Sequence, residues 1–353
     1  MNGIDLLLRR PAGFLAGNGP DGDIAVSTRI RLARNLQQFN FPGAASADER
    51  IEVCALLEEA AGATGFDPEL VFYLHRLSAI ERAILLERHL ASRELLDAPP
   101  ETMLMVSENE EVAVMVNEED HLRLQLLKPG LQLDKAYREL NELDDRFGRQ
   151  LPYAFDDRLG YLCSCPTNTG TGLRASVMLH LPALALAGMI PPTLNGIRQL
   201  NLTVRGVSGE GSANSGNLFQ ISNKFTLGDK EEHLIAELEE IVNQLIQQER
   251  SARQVLLVRE QNALLDKIGR AYGVLRYSYN LELAEALNSL SLVRLGVDLG
   301  MFSTLELERL NEMLITVHPG HLQKNAQREI PEDEQPKFRA AYCREQMKKS
   351  KKR

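Results

Sequence analysis

Cysteines and long apolar runs are scarce in this 353-residue chain, and whole classes of protein fall away with them. Four cysteines, with Cys163 and Cys165 only two positions apart, cannot build the disulfide framework of a small secreted domain. No Cys/His pair elsewhere matches them, so they predict no metal site. The longest apolar stretch, Val177 to Ile190, contains His180 and Pro182 and is too short to span a bilayer. Leu6-Leu7-Leu8 precedes Arg9-Arg10, the reverse of the order in a secretory signal. These absences predict a protein of the reducing cytoplasm without membrane contact. A net charge of -9 argues against nucleic-acid binding by bulk charge, although arginines can still be focused in one cleft. The G-x-x-x-x-G-K-[ST] loop, the Gly-rich kinase loop and H-R-D are missing as well. Any nucleotide must therefore be held by arginines.

At this length two domains are expected, and 44% hydrophobic with 25% charged residues suits a soluble globular protein. Ser27 to Leu32, if extended, puts Arg29 and Arg31 on one face and Ile30 and Leu32 on the other. Met103 to Val106 and Val112 to Val116 read as strands around the turn Ser107-Glu108-Asn109-Glu110. His121, Arg123 and Gln125 alternate with leucines, and Asn201, Thr203 and Arg205 alternate with Leu202 and Val204. Several strands thus push an arginine onto a polar face, with few long helices between them. The pattern predicts an α+β fold in which a largely antiparallel sheet, flanked by helices, floors a cleft.

Asp229-Lys230-Glu231-Glu232 marks a helix start, and Leu234, Leu238, Ile241 and Leu245 keep helical spacing after it. Beyond about residue 246 the patterns are nearly all helical. Leu283, Leu287, Leu290 and Val293 mark one helix, and Ser303 with Glu306 has capping-box spacing ahead of another. The predicted division is an N-terminal segment over 1–20, a mixed domain over 21–245, an all-helical domain over 246–345 and a basic tail over 346–353. The C-terminal helices suggest self-association into a homodimer.

The stretch Gly160 to Val177 is the densest in chemistry. Gly170 and Gly172 remove the Cβ atoms that would hold a phosphate away from backbone N–H groups, and Arg174 offers a fork of donors for phosphate oxygens. Cys165 is either a buried structural thiol or a reactive one activated by neighbouring arginines. Asn117-Glu118-Glu119-Asp120-His121 reads either as a solvated loop or as a carboxylate that grips a guanidinium bidentately. Arg205-Gly206-Val207-Ser208-Gly209-Glu210-Gly211 opens a glycine-rich stretch, either a simple hairpin loop or one that closes over a substrate. If Arg29, Arg31, Arg123, Arg174 and Arg205 converge, they can bind three phosphates and neutralise charge in phosphoryl transfer.

Together these motifs resemble the phosphagen (guanidino) kinases. The matches are Ser27-Thr28-Arg29-Ile30-Arg31 running to Asn35, Asn117 to Arg123, the cysteine loop, and Arg205-Gly206 with Gly209-Glu210. Ile221-Ser222-Asn223-Lys224 adds a further match, and the resemblance covers roughly residues 21 to 245. It implies the catalytic fold of that family, a glutamine-synthetase-like antiparallel sheet. It assigns the nucleotide to Ser27 through Arg31, His89, Arg123, Arg174 through Met178 (with Ala175, Ser176 and Val177), and Arg205 through Gly209. Glu119 would act on the substrate guanidinium with Cys165 beside it, and Glu210 would be the second guanidinium contact. ATP is implied, with Mg2+ held mainly by phosphates and water.

Two departures narrow the resemblance. Arginine and creatine kinases carry a helical domain before the first arginine motif, whereas only 26 residues precede Ser27 here, so a more open acceptor side is expected. The arginine and acidic residues that small-guanidine kinases carry in the glycine-rich stretch are replaced by Ser208 and Ala213. With its helical C-terminal part, the layout is similar to the bacterial protein arginine kinases. That resemblance implies phosphorylation of arginine side chains in proteins, as a mark for degradation in stress response and quality control. The implied partners are arginine-bearing proteins, an activator protein and an AAA+ unfoldase–protease. The alternatives are a kinase for free arginine and a weakly catalytic phosphoarginine adaptor. In the tail, Gln335-Pro336-Lys337-Phe338-Arg339-Ala340 keeps only the final Arg-Ala of the R-D-x-x-R-A motif that binds phosphoarginine, leaving Arg339 as its trace.

Overall fold

The computed structural model describes residues 3–206 and 215–348. The expectations for Val207, Ser208, Gly209, Glu210 and the end of the basic tail lie outside the described residues. Among the described residues ten strands form: β1 Ala25–Arg34, β2 Leu70–Tyr73, β3 Met103–Val106, β4 Val112–Val116, β5 Leu122–Pro129, β6 Phe155–Asp156, β7 Gly160–Tyr161, β8 Leu173–His180, β9 Leu202–Gly206 and β10 Leu218–Asn223. Eight of them make one sheet in the order β2-β3-β4-β5-β1-β8-β10-β9, and β6 and β7 pair separately. Every pairing is antiparallel, as the strand-to-strand spacing without long crossovers predicts.

Five helices lie within the first 150 residues: α1 Gly3–Leu7, α2 Ala47–Ala63, α3 Ala79–Glu87, α4 Arg93–Asp97 and α5 Leu133–Gln150. They are followed by α6 Pro182–Leu186, α7 Ile190–Gln199, α8 Glu231–Arg259, α9 Gln261–Tyr277, α10 Leu283–Asp298, α11 Leu307–Thr316, α12 Pro319–Asn325 and α13 Gln335–Gln346. The apolar alternates of the strands, Ile30, Leu32, Leu122, Leu124, Ala175 and Val177 among them, form one face of the sheet. They pack with Leu57 of α2, Leu140 and Phe147 of α5, and Leu238 and Leu245 of α8 into the largest core.

The other face is not the open polar surface that alternation alone suggests. β5 is buried on both sides along nearly its whole length. At one end α1, α3 and α4 cover the sheet around Leu104, Val106, Ala113 and Met115. At the other, Val26, Leu127, Met178 and Leu218 pack against Leu290 of α10 and Leu310 of α11. Between these covers lies a strip of arginines.

The C-terminal helices are joined to the sheet by charge as well as by apolar contact. Arg294 on α10 is buried, donating to the Gly22 carbonyl at 2.7 Å, the Asp23 carbonyl at 2.9 Å, Asn311 at 2.9 Å and His180 Nδ1 at 2.6 Å. The boundary placed near 245 falls inside α8, whose residues Leu234 to Leu256 feed the main core throughout. The predicted cap at Ser303 and Glu306 does not form. Leu305 is drawn into the second core, so the chain stays extended through Glu306 and α11 begins at Leu307 without a side-chain cap bond. Arg339 is no surface anion site: it is buried, and it donates to the Val317 carbonyl at 2.9 Å and the Leu281 carbonyl at 3.0 Å.

His180 accepts at Nδ1 from a cation and sits in a buried pocket, so burial and then Arg294 and Arg253 hold its pKa well below the ordinary value. Between that low value and about 6.5, the unfolded chain binds a proton that the folded chain excludes. This part of the stability is therefore full above about pH 6.5 and is lost as the pH falls. Melting temperature measured from about pH 7 down to about pH 5 should fall, and His180→Asn should make the fall shallower. An unchanged slope in the variant would show that His180 is not a source of acid sensitivity.

Candidate active site

Strand register builds the site. Arg31 on β1 stands opposite Arg174 on β8 and Gln125 on β5, while Arg29 stands opposite Ser176 and Leu127. Ala33 pairs with Arg123, and Gln220 on β10 pairs with Arg205 on β9. Because side chains alternate, all five arginines share the face turned away from the main core. By the same alternation, the side chains of Thr28, Ile30, Ala175 and Val177 point to the opposite face. Ile30, Ala175 and Val177 lie in the core, and the Thr28 hydroxyl donates to the Gly130 carbonyl at 2.7 Å. Ser27, Ser176 and Met178 stay on the arginine face.

The guanidinium groups are short of counter-charge. Burial, then the charges of Arg174, Arg123 and Arg205, pushes Arg29 down to about 10. Arg31 is held well below its ordinary value by burial and by Arg29, Arg123 and Arg174, with Glu118 opposing. Burial and Arg205 lower Arg174 too. The Nε atoms of Arg31 and Arg174 are buried and without a hydrogen-bond partner. A buried donor left unmet costs roughly 1–3 kcal/mol, more for a charged group, so the strip is built to receive an anion rich in acceptors.

Arg123 differs from its neighbours. Burial opposes its charge, yet Glu118, Glu119 and Asp120 outweigh burial and raise its pKa. Glu118 is fully buried and bonds Arg123 Nη1 at 2.6 Å, and Ser92 donates to the same carboxylate. Glu119 meets Arg123 Nη2 at 3.1 Å but keeps 41% of its side chain exposed. Asp120 is enclosed, accepting from Asn35 at 2.6 Å and from the Ser164 backbone N–H at 2.7 Å. The acidic turn therefore divides its labour: Glu118 and Asp120 hold the scaffold, and Glu119 is the carboxylate left in the cleft.

A cleft of about 210 Å³ is lined by Arg31, Glu119, Arg123, Cys165, Arg174 and Arg205, together with Glu94, Thr167 and Asn168. Cys165 Sγ lies 3.0 Å from Thr167 Oγ1. His89 is not in this cleft. With Phe14, Ser27, Arg29, Ser176 and Met178 it lines a narrow adjoining slot, its ring edge-on to Phe14. Burial, Arg29 and His318 push its pKa down to about 3, so it faces Arg29 as a neutral ring.

Gly170 does a different job from the expected phosphate cradle, whereas Gly172 lines the arginine cleft. The Gly170 N–H donates to the Tyr161 carbonyl at 3.1 Å and the Thr171 N–H to the Thr226 carbonyl at 2.9 Å, so neither awaits a ligand. Both glycines have positive φ, and a Cβ on Gly170 would strike the Thr226 carbonyl, one on Gly172 the Ala33 carbonyl. They let three backbone segments touch.

A sequence model of the ATP:guanido phosphotransferase C-terminal catalytic domain matches residues 56–252, and one of the protein-arginine kinase McsB C-terminal domain matches 261–353. A protein-arginine kinase of Geobacillus thermodenitrificans is 47% identical over 348 residues, covering 97% of this chain and 95% of that protein. The chain belongs to the protein-arginine kinase family. Another relative of the same description, from Brevibacillus brevis, is 42% identical over 340 residues, 96% of this chain and 95% of that one. Among solved structures, lombricine kinase superposes with a TM-score of 0.57 at 25% identity, covering 71% of each chain. The duplicated taurocyamine kinase of Schistosoma mansoni gives a TM-score of 0.57 at 29% identity over 65% of this chain, which spans only 33% of that one.

Glu94, in the first turn of α4, escaped sequence reasoning because nothing around it has a motif. Its place in the cleft comes from Ser92, which caps α4 by accepting from the Leu95 N–H at 3.0 Å and also donates to Glu118. Glu119→Gln should leave ATP affinity within about threefold while phosphoryl transfer falls about a hundredfold or more. Glu94→Gln should raise the acceptor KM with a smaller effect on kcat. Near-normal turnover in Glu119→Gln would remove Glu119 from the reaction.

Proposed function

We propose that this chain transfers the γ-phosphoryl group of ATP to the guanidinium of arginine side chains in proteins. The observation that supports it most strongly is the strip of undercompensated arginines ending at the exposed carboxylate of Glu119, with Glu94 in the same cleft. Relatives described as protein-arginine kinases along nearly the whole chain support the choice of acceptor.

In this reading Arg29, Arg31, Arg123, Arg174 and Arg205 bind the triphosphate and share the charge that spreads over its oxygens in the transition state. The orphan Nε atoms of Arg31 and Arg174 find acceptors there. Mg2+, when bound with the nucleotide, would supply further charge neutralisation. Glu119 orients the acceptor guanidinium in line with the γ-phosphorus. A guanidinium nitrogen forms the N–P bond, the P–O bond to ADP breaks, and Glu119 takes the proton released. Cys165, on the cleft wall, lies where it can polarise the same guanidinium, whose pKa above about 12 makes unaided deprotonation unfavourable.

Phosphorylation turns a cation on a protein into an anion, a change that a degradation machine can read. A role in stress response and quality control, an activator and an AAA+ unfoldase–protease partner belong to the same proposal, as does a cytoplasmic setting. No helix among the described residues is long and apolar enough to cross a membrane. A homodimer through the C-terminal region would find apolar surface at Val255 and Val258 of α8, 49% and 82% exposed.

The deciding experiment incubates the protein with ATP and either a mixture of denatured proteins or free arginine. Acid-labile phosphoarginine mapped on proteins by mass spectrometry, with little turnover of free arginine, is expected. Turnover of free arginine alone would contradict the proposed acceptor.

A further inference from the structure

Behind the cysteine loop lies a second concavity that the arginine cleft does not use. It has a volume of about 600 Å³, and Leu159, Gly160, Tyr161, Thr171, Thr226 and Leu227 form its walls. Large apolar side chains are exposed around it: Phe155 by 54%, Leu159 by 46%, Leu227 by 53% and, beside it, Phe225 by 52%. A concentration of this kind on one surface, with polar residues at its rim, marks an interaction site. The rim carries no net charge of one sign. Arg158 and Lys230 are offset by Asp229 and Glu231, and Asp229 is paired with His233 at 2.7 Å. A nucleotide or nucleic acid would need a cationic rim, so the groove is shaped for apolar contact.

Its position identifies the occupant. Residues 167–172 form a partition with the catalytic cleft on one side and the groove on the other. Thr167, Asn168 and Gly172 line the cleft, and Gly170 and Thr171 line the groove. Thr226 fastens the partition, its hydroxyl hydrogen shared between the Thr169 carbonyl at 2.7 Å and the Thr167 carbonyl at 2.9 Å. A wall one chain thick is about 10 Å across with its side chains, the length of about three extended residues. A peptide with its arginine beside Glu119 can therefore lay the residues three or four positions away into the groove.

Resting on the protein-arginine reading above, we propose that this groove binds an extended apolar segment of the protein substrate next to the acceptor arginine. Selection would then favour arginines flanked by apolar residues, the kind normally buried in a folded protein and exposed in an unfolded one.

The test uses the full chain and two peptides with one arginine each, one flanked by leucine and phenylalanine three and four positions away, the other by serine and glycine. The wild-type protein should favour the apolar peptide. The doubly substituted Leu159→Glu, Leu227→Glu protein should lose about tenfold in kcat/KM on that peptide while its rate on the polar peptide and its ATP KM stay unchanged. A fluorescent copy of the apolar peptide, with lysine in place of arginine, should bind the variant about tenfold more weakly, and this reading does not depend on transfer. Equal binding by wild type and variant, or an equal loss on both peptides, would overturn the proposal. So would a change in sedimentation coefficient in the variant, which would make the groove an interface between two copies. If no arginine in any peptide or protein is phosphorylated but the labelled peptide still discriminates, the acceptor reading fails and the groove stands. Milder Leu159→Ser and Leu227→Ser variants, at exposed positions, guard against misfolding.

Discussion

Five guanidinium groups share one face of a sheet whose other face is the protein's core, and nearly everything else in the structure keeps them there. Like charges brought together and partly desolvated repel, which is why burial and neighbouring arginines lower Arg29, Arg31 and Arg174. Only a scaffold stable for other reasons can hold such a group in place. The main core behind β1, β5 and β8 supplies that stability, and the C-terminal helices brace the strand ends through Arg294 and its carbonyl partners. A triphosphate would resolve the conflict, since its oxygens would meet the orphan donors and cancel the repulsion.

The acceptor side is built on the opposite logic. There the carboxylates outnumber the cations near them, and the buried pair Glu118–Arg123 fixes the turn from which Glu119 extends. One arginine thereby belongs to both halves: Arg123 closes the phosphate strip and orients the carboxylate that would meet the guanidinium. The cysteine loop is the seam. Its glycines let Thr226, Ala33 and Tyr161 approach its backbone, so Cys165 sits on a wall fixed by several carbonyl contacts.

Much of this was legible in the sequence, for identifiable reasons. Strands with a strict period of two announced themselves: Arg29 and Arg31 against Ile30 and Leu32, Arg123 against Leu122 and Leu124. What the period could not say is which strands pair and in what register, and register alone brings Arg31 opposite Arg174. The resemblance, not alternation, assigned Thr28, Ile30, Ala175 and Val177 to the nucleotide, and their own side chains turn away from the cleft. Glu94 was invisible because its role depends on a helix of five residues docked through Ser92. Gly170 and Gly172 were rightly seen as positions where a Cβ is excluded, but the atoms excluding it belong to the protein. Arg339 carried the trace of a surface motif and is instead buried on two carbonyls, a matter of tertiary packing that a local pattern does not contain.

The arginine strip is held against its own repulsion, and a polyphosphate would relieve it. Replacing Arg31 by methionine, close in length and uncharged, removes one repelling cation and one orphan donor. Melting temperature should be measured for both proteins, alone and with saturating Mg-ATP. The Arg31→Met protein alone should melt at or above the wild-type temperature, and ATP should no longer stabilise it. A variant that melts lower without ligand and gains the full wild-type shift with ATP would contradict this.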